Sequence, residues 1–233
     1  MRWSRVAMLS VSGVVLALMA AVAPVAIDRA GSALRGGADA PSPVVASAEE
    51  TRAILGSVLA QKPAGGRVPA PPKAGQPPQA EPARILILTD RSQCFAPQGE
   101  AEAKTSCLSA MADSLLAAEL DASMPRKLRE ELLLANREPH PLLLAGIRGT
   151  QVESEANIER AFAGGWWDDF YRKYPGASGI VRIGRPVLTK DRQQALIYVA
   201  HSCGGLCGKG MVYLLSRSGA GWSIVQEQML WIS

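Results

Sequence analysis

Histidine is nearly missing from this 233-residue chain: only His140 and His201 occur, and cysteine is limited to Cys94, Cys107, Cys203 and Cys207. Side chains this few leave no second cluster from which metal or thiol chemistry could be built. Basic and acidic residues, 25 and 21, are interspersed and leave a net charge of +4. The chain therefore lacks the concentrated basic face that nucleic acid requires, and no polynucleotide partner is expected. The nucleophile elbow Gly-x-Ser-x-Gly is also missing, since Ser178 stands in Gly176-Ala177-Ser178-Gly179. Gly208-Lys209-Gly210 is no phosphate loop, because no Ser or Thr follows the lysine and no strand-to-helix turn surrounds it.

What is present begins with Arg2 and Arg5, followed by an uncharged stretch over residues 6–27. As a helix this stretch would be about 33 Å long, enough to cross a bilayer. A secretory signal has a shorter apolar core and ends at a small-x-small cleavage site. Here Ala21-Val22-Ala23 is followed by Pro24, and Ala46-Ser47-Ala48 lies about twenty positions beyond the apolar run. Residues 1–27 are expected to form an uncleaved signal-anchor, with a removed signal peptide as the alternative. The positive-inside bias then places everything after Ile27 on the periplasmic side of the inner membrane, or free in the periplasm after cleavage.

Residues 28–82 are expected to be an extended tether. Between Lys62 and Pro82 there are seven prolines with Gly65, Gly66 and Gly75, a composition that cannot bury enough surface to offset ordering. A short helix is expected to interrupt it, capped by Ser47 or Thr51 and carrying Ile54, Leu55, Val58 and Leu59 on one side.

Residues 83–233 carry the pattern of one globular α+β domain. Ile85-Leu86-Ile87-Leu88 suits a strand, and Thr105 or Ser106 can cap a helix that runs to about Asp121. Pro125 can open another, with Leu128, Leu132 and Leu133 inward and Asn136 at its end. From Ser154 a further helix is expected, with Ile158, Phe162, Trp166, Phe170 and Tyr174 stepping by four and Gly164-Gly165 as a kink. The period then changes to two. Residues 180–185, 195–202, 211–216 and 222–232 read as strands whose short connections imply antiparallel neighbours. The expected fold places helices on one face of a curved antiparallel meander, an architecture that resembles cystatin-like or NTF2-like folds.

The loop His201-Ser202-Cys203-Gly204-Gly205-Leu206-Cys207-Gly208-Lys209-Gly210 holds two of the four cysteines and one of the two histidines. In an oxidising compartment an even cysteine count favours bridging. Three pairings are possible, of which Cys94 with Cys107 and Cys203 with Cys207 are the short-range ones. In the chain-entropy model they contribute about 3 and about 2 kcal/mol.

Together with Trp166-Trp167-x-x-Phe170-Tyr171-x-x-Tyr174-Pro175-Gly176-x-Ser178-Gly179 and the terminal Leu230-Trp231-Ile232-Ser233, this loop resembles an uncharacterised bacterial exported-protein family. The resemblance covers roughly the last 70 residues and implies a shared domain. It assigns no reaction, and residues 1–82 and the Cys94 to Cys107 region lie outside it.

Three chemistries fit the loop. A structural disulfide would fix the turn between two strands, with His201 as a packed neighbour. A redox pair would use a protonated His201 beside Cys203 to favour thiolate, since residues two apart on a strand share a face. A metal would need His140 as a fourth donor beside His201, Cys203 and Cys207, and the proline-flanked His140 reads instead as a surface turn. The sequence favours the structural disulfide, with no metal and no cofactor. The domain is then expected to bind either a small molecule between helix and sheet or an envelope protein on an exposed face.

Overall fold

The long strands of the C-terminal part set the architecture. In the computed structural model, which describes residues 44–62, 85–95, 107 and 124–233, β5 (Gln194–Gly204), β6 (Cys207–Ser218) and β7 (Gly221–Ile232) form an antiparallel meander joined by turns of two residues. Bulges between Gly210 and Met211 and between Leu214 and Leu215 bend it. β3 (Ala177–Ile183) pairs antiparallel with the other side of β5, and the two-residue β4 (Val187–Leu188) pairs with the start of β5. The α+β class and the antiparallel meander agree with the sequence reading.

Beyond β3 the sheet continues in a way the sequence did not announce. β1 (Ile85–Thr89) lies parallel to β3, and β2 (Thr150–Glu153) lies parallel to β1 at the edge, giving the order β2-β1-β3-β5-β6-β7. Thr150-Gln151-Val152-Glu153 holds a single apolar residue, too little alternation to signal a strand. The parallel pairing supplies what the local pattern lacks.

Both faces of the sheet are apolar. On one, Leu196, Tyr198, Ala200, Val212 and Leu214 pack against Leu128, Leu132 and Leu133 of α2 (Arg126–Ala135). On the same side Ile87 and Ile180 meet Ile158 of α3 (Glu155–Ala161) and Phe170 of α4 (Trp167–Lys173). Pro125 and Asn136 cap α2. Asn136, fully buried, also receives the Arg185 amide at 2.6 Å and donates to the Arg185 carbonyl at 3.0 Å, which ties the helix end to the link between β3 and β4.

The expected single helix from Ser154 is two helices. Gly165 adopts φ +84° and breaks the run, so the phase resets. Trp166 is 75% exposed instead of joining the core. Trp167 takes its place, 5.0 Å from Phe162 and 5.3 Å from Phe170.

The opposite face, formed by Leu88, Val181, Ile183, Ile197, Val199, Tyr213, Leu215 and Trp222, is covered by Ile54, Leu55 and Val58 of α1 (Ala48–Gln61). This is the helix that the sequence placed inside the tether, and it belongs to the domain. A capping box between Ser47 and Glu50 starts it. Val44 and Ala46 flank it with backbone bonds of 2.8 and 2.9 Å to Leu188 and Pro186. At its end the Gln61 side chain reaches the Trp222 carbonyl at 3.0 Å and the Ile224 amide at 3.1 Å, and Lys62 pairs with Glu227 at 3.0 Å. Among the described residues helices therefore lie on both faces: α2, α3 and α4 on one, as expected, and α1 on the other.

The expected membrane segment over residues 1–27 and the helix from Thr105 or Ser106 lie outside the described residues. Among the described residues no helix is long and apolar enough to cross a membrane.

Leu55 is completely buried under α1. Leu55→Ala should lower the unfolding free energy by about 2–5 kcal/mol, read from urea denaturation. A loss below about 0.5 kcal/mol, the scale of a surface change, would show that α1 is not part of the folded core.

Candidate functional site

All four cysteines are bridged. Cys94 joins Cys107 and Cys203 joins Cys207, with Cα separations of 4.7 and 5.1 Å. These are the two short-range pairings. Cys94 follows β1 in a segment fastened by backbone bonds from Gln93 to Ile183 and from Phe95 to Asn136, at 2.7 and 2.8 Å. Cys203 and Cys207 close the hairpin between β5 and β6, leaving Leu206 at its tip 94% exposed.

His201 shares a face of β5 with Val199, under α1. Its Nε2 lies 3.2 Å from the Ser178 carbonyl and its Nδ1 lies 3.9 Å from Cys203 Sγ. A carbonyl oxygen can only accept, so Nε2 carries the proton and Nδ1 is bare. Burial, the largest influence, holds the imidazole below its ordinary pKa. The Ser178 bond opposes that shift and the nearby Lys209 adds to it. His201 is thus neutral near pH 7, and the imidazolium that would favour a Cys203 thiolate is not formed. Cys203 is itself only 5% exposed.

Its neighbours explain the surrounding residues. Gly179 has φ +135°, and a Cβ there would stand 2.5 Å from the Ser202 carbonyl and 2.6 Å from His201 Nε2. Only glycine lets β3 approach the ring this closely. Tyr171 donates to the Cys203 carbonyl at 2.9 Å, and Trp231 donates to the Tyr198 hydroxyl at 2.9 Å while lying over Gly210. Ser233 closes the group with a 2.9 Å amide bond to the Gly208 carbonyl. The aromatic helix and the C-terminal strand each reach the cysteine hairpin through hydrogen bonds, Tyr171 at Cys203 and Ser233 at Gly208.

Beside His201 there is a cavity of about 20 Å³, bordered by Lys209, Met211 and Tyr213. It has room for one water and no substrate. His140 lies elsewhere, beyond the carboxyl end of β1, where its amide donates to Ser92 Oγ at 2.9 Å. Among the described residues no three metal-binding side chains converge. Ser178 is buried, and its hydroxyl donates to the Ile85 carbonyl at 3.4 Å.

A larger space opens beside α1, against its outer residues and against Leu86 and Ser178 of the sheet. It measures about 1040 Å³ and lies between that helix, Leu86 and the loop 145–149. Ala53, Gly56, Ser57 and Ala60 form its helical wall, and Arg52 and Arg148 border it. None of these residues stood out in the sequence. Gly56, a glycine inside a helix, was the one available signal.

Gly179→Ala should reduce unfolding free energy by about 2–4 kcal/mol in urea titrations. A near-neutral effect would show that the Ser202 carbonyl and the His201 ring move aside freely. The unfolded chain takes up a proton on histidine near pH 6.5, whereas folded His201 does so only at lower pH. Its contribution is therefore complete above that point and is lost as pH falls through the depressed folded value. His140 is shifted in the same direction by burial and by Arg185, so the comparison belongs in a His140→Gln background. There, His201→Gln should flatten the fall in stability as pH drops below about 6.5. An equal slope in both proteins would remove His201 as its source.

Comparison of the chain with family models, curated proteins and solved structures finds no match.

Proposed function

We propose that this protein is an exported, membrane-tethered binding module of the bacterial envelope, held at the inner membrane by residues 1–27 and braced by two structural disulfides. One observation carries the reading: every thiol is bridged, and the histidine beside the buried sulfur is neutral. That arrangement stiffens a scaffold and activates nothing. Bridged cysteines also accord with an oxidising compartment. The ligand site in this reading is the groove along α1, whose size matches small-molecule sites. The resemblance to an exported-protein family concerns the bonded cluster and supports the same placement.

A second reading, thiol-disulfide exchange through Cys203 and Cys207, draws on the bare Nδ1 of His201 facing Cys203 Sγ at 3.9 Å. An incoming dithiol would become a disulfide as Cys203 and Cys207 were reduced to thiols. Burial of Cys203 and of its histidine weighs against it.

Intact mass of the full chain recovered from a bacterial host, alkylated with and without prior reductant, tests the first reading. All four cysteines should resist alkylation until reduced, and a reporter fused after Ser233 should be active only outside the cytoplasm. Four free thiols, or a cytosolic reporter, would overturn it. For the second reading, a Cys203→Ser variant whose exchange rate with a dithiol matches the parent eliminates the redox role.

A further inference from the structure

We propose that the groove along α1 binds an amphiphile with an apolar chain and an acidic end group, a carboxylate or a phosphate monoester. This deepens the binding reading above and rests on it.

Gly56 is the first observation. A glycine inside a helix costs about 1 kcal/mol relative to alanine, so its presence needs a reason. Nothing in the fold gives one: no described atom lies within 4 Å of where a Cβ would stand, and its φ is not left-handed. The space in front of it is the groove itself. A side chain at this position would disturb nothing of the described protein and would fill the cavity, which is what a ligand lying against the helix would forbid.

The wall around Gly56 has the same character. Ala53, Gly56, Ser57 and Ala60 recur at spacings of three and four, which places them along one side of α1. Ile54, Leu55 and Val58 on the other side are sealed against the sheet. Leu59, Leu86 and Ile147 supply half-buried apolar surface to the same cavity. A slot of small residues flanked by aliphatic ones takes a slender apolar chain.

Charge is concentrated in two side chains. Arg52 Nη1 donates to the Leu143 carbonyl at 3.1 Å, which fixes the guanidinium beside the groove and leaves its other donors unused among the described residues. Arg148, exposed on the opposite wall, makes no ion pair among the described residues. Glu49, the one carboxylate lining the cavity among the described residues, lies one turn from Arg52 and leaves an excess of positive charge there. Two guanidinium groups with donors unused among the described residues suit a carboxylate or a phosphate, which they bind in a forked geometry. At about 1040 Å³ the cavity admits a medium-length chain together with such a head group.

The test uses the full-length chain in lipid nanodiscs, titrated calorimetrically with octanoate, octyl phosphate and octylammonium, with the heats of empty nanodiscs subtracted. Octanoate or octyl phosphate should bind, and the better of the two identifies the acid; octylammonium should not. Gly56→Phe should abolish binding. The exposed substitution Arg148→Glu, which leaves the core untouched, should weaken it about tenfold or more. Binding of all three probes alike, still blocked by Gly56→Phe, would overturn the acidic end group while leaving the binding reading intact. No binding by any probe, or binding unaffected by both Gly56→Phe and Arg148→Glu, would overturn the groove as a ligand site and with it that part of the proposed function.

Discussion

A sheet with two apolar faces must be covered twice, and that requirement organises the protein. Along β5 alone, Ala195, Ile197 and Val199 point one way while Leu196, Tyr198 and Ala200 point the other, and all six are buried. Helices that follow β1 in the chain can shield only one of these faces. The other is closed by α1, drawn from ahead of a proline-rich stretch and locked at both ends, by Val44 and Ala46 at its start and by Gln61 and Lys62 at its finish. Burying Ile54, Leu55 and Val58 contributes about 1.5–3 kcal/mol for each side chain toward holding the fourteen-residue helix on the sheet. Because one helix cannot cover the whole width, its far flank and the loop before β2 are left with a groove between them.

The second organising element is the bonded cluster around Cys203. Chemistry-bearing residues in a glycine-rich loop suggest reactivity, yet here each is accounted for by packing. His201 spends its one proton on the Ser178 carbonyl, Gly179 clears space for the ring, and Tyr171 holds the Cys203 carbonyl. Trp231 and Ser233 bring the end of β7 against the glycines of β6. In the binding reading proposed above, the buried imidazole and the bridged, buried sulfur act as a brace.

Elements with a strong local pattern were legible in the sequence, and those fixed by partners were not. Alternation located β3, β5, β6 and β7, and the capping residues Ser47, Pro125, Asn136 and Ser154 marked true helix boundaries. Spacing singled out Cys94 with Cys107 and Cys203 with Cys207 as the short-range pairings but left three connectivities open, and the structure selected these two. In contrast, β2 has one apolar residue in four and exists because β1 offers it a ladder. Trp166 looked like core on a spacing of four, and a left-handed glycine turned it to solvent. Of the candidate groove, only Gly56 left a trace; Arg52 and Arg148 lie 96 positions apart and read as ordinary surface charge.

By itself, then, the order of residues determined the class of fold, the strand set of the meander and the helix caps, because each depends on side chains near one another along the chain. Tertiary structure alone decided that α1 belongs to the domain, that β1 and β2 extend the sheet in parallel, which cysteines pair, that burial holds His201 below its ordinary pKa, and that a groove forms beside Gly56. Those features arise from burial and from contacts between distant segments, and neither has a local signature: the same helix in water would bury nothing, and the same histidine in a loop would titrate normally.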